Sequence, residues 1–339
     1  MKILVTGGTG YIGSHTAVEL INDGFEIVIV DNLSNSKVES LDGIEKITGI
    51  RPDFEQIDLC DKNKTEALLK KHSGIAGVIH FAAYKAVGES VEKPLKYYRN
   101  NLASLINLLE LMQQYSIPHF VFSSSCTVYG QPEKLPVTED APVQAAISPY
   151  GNTKQISEEI IRDTAAVDNR LKAISLRYFN PIGAHPTAFI GELPIGTPNN
   201  LVPFITQTAI GIRECLSVFG NDYNTPDGSC IRDYIHVVDL AKAHVTAVRR
   251  LIENKNRANF EMFNLGTGRG VSVLELVHAF EKATGVKLNY KIVGRRAGDI
   301  EQVWADTSYA NKELGWKAQS TLEETLKSAW NWEKNLKST

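Results

Sequence analysis

Tyr150 and Lys154 stand four residues apart in Ser148-Pro149-Tyr150-Gly151-Asn152-Thr153-Lys154. That spacing puts two side chains on one face of a helix. Ser148 reads as the N-cap and Pro149 as the first helical residue. A tyrosine and a lysine so placed suit proton transfer with a substrate hydroxyl. A phenol of pKa ~10 would have to fall by about 3 units to act as a base near neutrality, a cost of roughly 4 kcal/mol. A nearby ammonium and a helix N-terminus both favour phenolate. Tyr-x-x-x-Lys also arises by chance on exposed helix faces, so its weight rests on its surroundings.

One such surrounding is Thr6-Gly7-Gly8-Thr9-Gly10-Tyr11-Ile12-Gly13, between the first predicted strand and the first predicted helix. Glycines mark ordinary turns as well, but this placement suits a dinucleotide. Gly7 allows a tight turn, Gly10 lets the backbone approach a pyrophosphate, and Gly13 lets the helix pack closely on the sheet. The helix N-terminus offers unpaired N–H groups and a partial positive charge to the phosphates. Asp31 ends the second predicted strand, 18 residues beyond Gly13. A carboxylate there accepts hydrogen bonds from the adenosine ribose and repels a 2′-phosphate, which points to NAD rather than NADP. A bound nicotinamide would add a positive ring to the charges that favour phenolate.

A third surrounding is Phe122-Ser123-Ser124-Ser125-Cys126-Thr127-Val128-Tyr129-Gly130. Carboxyl ends of parallel strands face the cofactor crevice, so one hydroxyl there can bridge substrate and Tyr150. The other two serines are expected only to satisfy backbone groups at a turn.

The elements that position these residues read as an alternation of strands and helices. β-branched runs predict strands at Lys2–Thr6, Glu26–Val30, Asp53–Ile57, Gly77–Phe81, Phe120–Ser123 and Ala173–Leu176. Amphipathic spacing predicts helices at about Ile12–Asn22, Asn63–Lys71, Pro94–Gln114 and Ser148–Ala166. Such alternation implies right-handed crossovers and a doubly wound, Rossmann-like parallel sheet of the α/β class, covered on both faces. After Asn180 the character changes, with Pro181, Pro186, Pro194, Pro198 and Pro203 crowding a loop-rich stretch. An apolar strand-helix unit follows at Tyr234–Leu251, then helices near Val273–Ala283 and Leu322–Asn335. We therefore expect an NAD-binding domain over 1–180. Residues 181–339 should form a smaller mixed α/β substrate domain that returns some segments to the main sheet.

Composition sets the outer bounds. The 339 residues are 43% hydrophobic and 22% charged with a net charge of -3, so nothing suggests nucleic acid or an acidic membrane surface as partner. No apolar run approaches the roughly 20 residues that span a bilayer. Ile3-Leu4-Val5 is far shorter than a secretory core, so a cytoplasmic protein is expected. Cys60, Cys126, Cys215 and Cys230 form no Cys-x-x-Cys pair and signal neither a disulfide framework nor a metal site.

The glycine loop, Asp31, the serine strand and Tyr-x-x-x-Lys together resemble the extended short-chain dehydrogenase/reductase superfamily. Longer motifs resemble its UDP-glucose 4-epimerase family. They are Tyr11-Ile12-Gly13-Ser14-His15-Thr16, Asp31-Asn32-Leu33-Ser34-Asn35-Ser36 and His80-Phe81-Ala82-Ala83-Tyr84-Lys85-Ala86-Val87-Gly88-Glu89-Ser90. Arg177-Tyr178-Phe179-Asn180-Pro181-Ile182-Gly183-Ala184-His185-Pro186, Pro198-Asn199-Asn200-Leu201 and Arg232-Asp233-Tyr234-Ile235-His236-Val237 complete the set.

The resemblance implies an isomerase that keeps NAD bound and inverts C4 of a UDP-hexose through a transient 4-keto sugar. It implies Tyr150 as the base on the 4-hydroxyl, Ser125 as its hydrogen-bonding partner, and Lys154 as the holder of the nicotinamide ribose. The cofactor would be held by the glycine loop with Tyr11 and Ile12, by Asp31, Asn32, Asn35 and Ser36, and by Asp58 and Leu59. Phe81, Ala82, Ala83, Lys85, Asn100 and Phe179 would complete that site. Arg232 and Arg296 match pyrophosphate-binding arginines, whose planar fork suits phosphate oxygens. Asn180, Asn200 and Leu201 match other substrate contacts, with Phe219 beside the uracil and Asp299 near the ribose. A homodimer is implied, packed through helices such as Pro94–Gln114 and Ser148–Ala166.

Three rival readings share the fold. A nucleotide-sugar dehydratase needs an acidic pair after the strand hydroxyl, where this chain has Cys126 and Thr127. A non-catalytic NAD-sensing protein would be free to lose Tyr150 or Lys154, and both are present. Another nucleotide-sugar oxidoreductase that releases its reduced cofactor would need added cofactor for turnover. The resemblance also places Val303, just before Trp304, against C2 of the hexose, where a tyrosine is common. Valine there implies room for N-acetylated sugars.

Overall fold

The computed structural model describes residues 1–296 and 298–338. Six strands of the first half form most of one parallel sheet. They are β1 (Lys2–Thr6), β2 (Glu26–Asp31), β3 (Asp53–Gln56), β4 (Ile75–His80), β5 (His119–Ser123) and β6 (Lys172–Tyr178). A seventh strand, Phe260–Leu265, returns from the second half and pairs in parallel with β6. Across the sheet the order is seventh strand, β6, β5, β4, β1, β2, β3. The chain winds outward in both directions from β1 and β4, so the crevice at their carboxyl ends is the switch point where ligands bind in such sheets.

The strands are apolar along their whole length because both faces are covered. Within β1, Ile3 and Val5 enter one core while Leu4 enters the other, as the two-residue side-chain period requires. One core packs under the helices Tyr11–Asn22 and Val237–Ile252. The opposite core packs under Lys62–Lys71, Pro94–Gln114 and Pro149–Val167. Each fully buried leucine or isoleucine there stabilises the fold by about 1.5–3 kcal/mol.

A third core lies apart from the main sheet, built by Ile182, Val202, Ile205, Leu216, Val218, Leu276, Phe280 and Leu326. The helices Leu201–Ala209, Val273–Thr284 and Leu322–Ser338 cover it. Short strand pairs join this layer to the end of the main sheet. Asn180–Ile182 runs parallel to Tyr234–His236, and Ile231–Arg232 lies between Val271–Ser272 and Gln302–Val303. Among the described residues, no helix is long and apolar enough to cross a membrane.

Candidate active site

The glycine loop is shaped by contacts that exclude side chains. Gly7 has φ 67° and its N–H donates to the Val30 carbonyl at 2.8 Å. A Cβ on Gly13 would lie 2.3 Å from the Gly7 carbonyl oxygen, and one on Gly7 would lie 2.8 Å from the Ala82 nitrogen. The tightness at Gly13 is thus against the loop itself rather than against a strand. Gly10 precedes the helix Tyr11–Asn22 with no side-chain cap, which leaves the first N–H groups directed at the crevice. Phe81 and Ala82 close the other side, their N–H groups bonded to Thr6.

Asp31 sits at the end of β2 and organises the loop that follows. Its carboxylate accepts from the Leu33 N–H at 2.9 Å, Ser36 Oγ at 3.1 Å and the Thr9 N–H at 3.4 Å. Thr9 and Ser36 hydroxyls are 2.7 Å apart, and the Ser34 N–H donates to Asn32. Asp31, Asn32, Asn35 and Ser36 therefore share one loop beside Gly10. Asp58, Leu59 and Asn100 form a second group, in which Cys60 links Asp58 to the Asn100 carbonyl and Leu59 is buried beneath. Lys85 reaches back toward the loop, its ammonium 6.0 Å from the Tyr11 ring centroid. Ile12 packs against the core beneath the loop, beside Phe81. Glycines that a Cβ would fill, a helix N-terminus and an acidic strand end fit a dinucleotide.

Ser148 caps the helix Pro149–Val167 by accepting from the Gly151 N–H at 3.2 Å, with Pro149 in the first turn. Tyr150 and Lys154 are both buried on its inward face. Lys154 Nζ donates to the Ser123 carbonyl at 2.6 Å and lies 6.0 Å from the Tyr150 ring centroid. Ser125 Oγ accepts from the Thr127 N–H at 3.2 Å, and its hydroxyl stands close enough to the Tyr150 phenol to counter part of the rise that burial causes there. Burial brings the Lys154 ammonium down to about 8, opposed by the charge of Glu158. Burial also pushes the Tyr150 phenol well above its ordinary value, with Tyr178 adding to the rise and Ser125 opposing it. Among the protein's own groups, burial outweighs what favours phenolate at Tyr150. Lys154 uses one of its three N–H donors on the strand and keeps two for the crevice, and a bound nicotinamide ring would add further positive charge beside Tyr150.

The other two serines correct an expectation. Rather than capping backbone groups, Ser123 Oγ is 2.8 Å from the Tyr178 hydroxyl, and Ser124 Oγ donates to Glu158 at 2.6 Å. Sequence reasoning passed over Glu158, Arg177 and Tyr178, although Glu158 repeats the four-residue spacing of Tyr150 and Lys154. Cys126 and Thr127 follow in a short turn. Burial pushes the Cys126 thiol up to about 12, so it stays protonated. The Thr127 hydroxyl is buried without a protein partner. The Asn152 side chain donates to the Tyr98 hydroxyl at 2.7 Å and ties two helices together.

The second half supplies the opposite wall. Arg232 lies directly beside Val303 in a parallel strand pair. Val303 is 3% exposed and packs with Phe179, Val128, Tyr129 and Ala305. Asn180 begins the strand that pairs with Tyr234. Arg296 forms an ion pair with Asp299 at 2.7 Å, and its guanidinium lies 5.3 Å from the Phe219 ring centroid. The structure thus brings Phe219, Arg296 and Asp299 into one cluster. Asn200 precedes Leu201 at the start of a helix, and its side chain donates to Glu192 at 2.5 Å. Glu192 also lies 3.7 Å from Lys85, which joins a predicted cofactor residue to a predicted substrate residue. Glu192 is a further residue that the sequence did not single out.

A doubly wound sheet with a glycine loop at its switch point, and a buried Tyr-Lys pair facing a serine strand end, defines the extended short-chain dehydrogenase/reductase class. The family model described as GDP-mannose 4,6 dehydratase matches residues 4–329. The chain is 52% identical over 333 residues to a UDP-glucose 4-epimerase of Bacillus subtilis, covering 98% of this chain and 97% of the relative. A UDP-glucose 4-epimerase from Stenotrophomonas maltophila, crystallised with NAD and formylated UDP-arabinopyranose, superposes with a TM-score of 0.96 at 48% identity. That match covers 100% of this chain and 99% of the other. A UDP-Glc/GlcNAc 4-epimerase from Campylobacter jejuni gives 0.84 at 37% identity, over 98% and 99% of the two chains. The chain belongs to the UDP-glucose 4-epimerase family.

Proposed function

We propose that this protein inverts C4 of UDP-hexoses with Tyr150 as the proton-transferring group, and that it serves N-acetylated sugars as well as UDP-glucose and UDP-galactose. It is an NAD-dependent isomerase that acts on UDP-glucose and UDP-galactose. When bound, NAD accepts a hydride from C4 and gives it back, chemistry that no side chain supplies. Gly7, Gly10 and Gly13 would hold its pyrophosphate, and Asp31 its adenosine ribose.

The observation that carries the catalytic assignment is the meeting of Tyr150, Ser125 and Lys154 at the end of β5. Tyr150 and Ser125 stand near each other and are both buried from bulk water, so a sugar hydroxyl between them can lose its proton to the Tyr150 phenolate while Ser125 holds its oxygen. A raised phenol pKa makes the Tyr150 phenolate a stronger base toward the 4-hydroxyl, and the still more basic alkoxide that forms at C4 in the second half of the cycle takes that proton back. Arg232 and Arg296 would bind the diphosphate, leaving the hexose free to present either face. A dehydratase is disfavoured by Cys126, whose protonated thiol and neighbouring threonine cannot supply a carboxylate pair.

Val303 supports the wider sugar range, since the side chain in register with Arg232 is small where a tyrosine would be bulky. A division near residue 180, a cytoplasmic location and a homodimer complete the reading. Val91, Leu95 and Ile106 are exposed on the helices Val87–Glu92 and Pro94–Gln114, an apolar face suited to a second copy.

The deciding experiment assays the purified protein, without added cofactor, on UDP-glucose/UDP-galactose and on the N-acetyl pair. Turnover of both pairs is expected, with NAD released on denaturation. Activity on the first pair alone would remove the N-acetyl proposal. Tyr150→Phe should lower kcat by about 10²- to 10⁴-fold, and a variant with unchanged kcat would remove Tyr150 from its role.

A further inference from the structure

Glu158 lies one helical turn beyond Lys154 on the face that carries Tyr150, and it is buried. Its Oε1 accepts from Ser124 Oγ at 2.6 Å, from Ser175 Oγ at 2.7 Å and from Arg177 Nε at 3.0 Å. Its Oε2 accepts from Arg177 Nη2 at 2.6 Å. One carboxylate thus gathers the Tyr-Lys helix, the end of β5 and two positions on β6.

Ser124 is the middle serine of three. The carbonyl before it, on Ser123, holds Lys154, and the hydroxyl after it, on Ser125, stands near Tyr150. The far side of Ser125 is tied to the same pair. Arg177 Nη1 donates to the Tyr129 hydroxyl at 2.9 Å, and Tyr129 donates to Asn264 at 2.7 Å. The segment from Ser124 to Tyr129 is therefore fastened at both ends to Arg177 and Glu158. Burying an ion pair costs desolvation that apolar residues of similar volume avoid, so stability alone is a poor reason for this pair.

We infer that Glu158 is a positioning residue for the reaction, fixing the Ser125 hydroxyl and the Lys154-binding carbonyl of Ser123 against Tyr150. This inference rests on the epimerase reading of Tyr150, Lys154 and Ser125. It also has an electrostatic side. The groups that face the Lys154 ammonium are Tyr150 and Glu158 on its own helix and His80 on β4, while from β6 Tyr178 meets Ser123 and Arg177 meets Glu158. Among them Glu158 is the charge that favours the ammonium, and its loss would also leave the positive Arg177 uncompensated.

The test uses NAD-loaded full-length protein and four variants. Ser124→Ala removes one hydrogen bond and leaves the ion pair. Glu158→Gln removes the charge, and Glu158→Gln with Arg177→Met removes both charges if the single variant fails to fold. Ser124→Ala should lower kcat by about 10-fold through mispositioning, with KM for UDP-glucose held within about twofold. Glu158→Gln should lower kcat further and move the alkaline limb of the kcat–pH profile to lower pH, whereas Ser124→Ala should leave that limb in place. Combining Ser124→Ala with Glu158→Gln should cost little more than Glu158→Gln alone, because both act on one contact.

Wild-type kcat in Ser124→Ala, or fully additive losses, would overturn the inference. So would a folded, NAD-replete Glu158 variant with the wild-type pH profile. These failures are distinct from failure of the functional reading, which would show as a wild-type protein inactive on UDP-glucose and UDP-galactose and would remove the inference with it.

Discussion

The Lys154 ammonium and the Ser123 carbonyl are joined at 2.6 Å, so the lysine beside the reacting phenol is held by the neighbouring strand. Its charge reaches Tyr150 through space, and its position is set by β5. Because Lys154 is buried and its ammonium falls to about 8, the charge beside Tyr150 is itself titratable within the working range. The protonated lysine is the competent form, so kcat should fall as pH rises through about 8. Lys154→Met should remove that dependence and lower kcat by about 10²- to 10⁴-fold. The measurement is kcat against pH from the neutral to the alkaline range for both proteins. An alkaline limb that persists unchanged in Lys154→Met would show that another group controls it.

Gly13 gives a test of the cofactor site that leaves the catalytic residues untouched. A Cβ there meets the Gly7 oxygen at 2.3 Å and the Gly8 Cα at 2.8 Å, both backbone atoms that yield only if the loop moves. Gly13→Ala should therefore yield protein that has lost most of its NAD, by absorbance of the denatured supernatant. Activity should return in part with millimolar added NAD. Full retention of NAD by this variant would mean that the loop shifts without consequence.

Val303 separates the two sugar classes. It is nearly fully buried beside Phe179 and lies in register with Arg232, so a larger residue must either strain the cluster or project toward the sugar. Val303→Tyr should depress kcat/KM for the N-acetyl pair far more than for UDP-glucose and UDP-galactose. Overpacking would add a destabilisation of about 1–3 kcal/mol, which the ratio of the two activities cancels. Equal losses on both pairs would place the tyrosine away from C2.

Most of the sheet was legible because β1, β2, β4 and β5 are buried on both faces and read as continuous apolar runs. The helix Pro94–Gln114 was legible to the residue because Pro94 starts it and its buried positions recur every three or four residues. The seventh strand was harder to see. Phe260-Glu261-Met262-Phe263-Asn264-Leu265 carries a glutamate that pairs with Arg250 and an asparagine that bonds to Tyr129 and Val137. Those polar positions make sense only once their distant partners are in place. The same holds within the site. Tyr150 and Lys154 share a sequence spacing, but Glu158 meets Ser124 at the end of β5 and Ser175 and Arg177 on β6. Glu192 joins Lys85 to Asn200 by contacts across 107 and 8 residues, which no local pattern announces.

Three buried histidines set the response of the fold to acid. Burial lowers His15 and His80 to about 3 and His244 to about 4, from an ordinary value of 6.5. Each is therefore neutral in the folded protein at pH values where the unfolded chain is already protonated. Between about pH 6.5 and the folded values, the unfolded state binds more protons, so stability rises with pH and is lost as pH falls. With all three contributing, the slope could reach about 4 kcal/mol per pH unit near pH 5. The expected outcome is a flat Tm between about pH 7 and pH 8 and a steep fall between pH 6.5 and pH 5. His244 allows the contribution of one ring to be isolated. It packs 4.7 Å from the Phe81 ring and 6.2 Å from the Tyr178 ring, and its Nε2 is buried without a protein partner. His244→Phe keeps an aromatic ring in that place and removes the titrating group. The variant should lose Tm more slowly on acidification than the wild type while matching it above pH 7 to within the cost of repacking. Parallel Tm–pH curves for the two proteins would show that His244 takes up its proton without unfolding, and that acid stability is governed elsewhere.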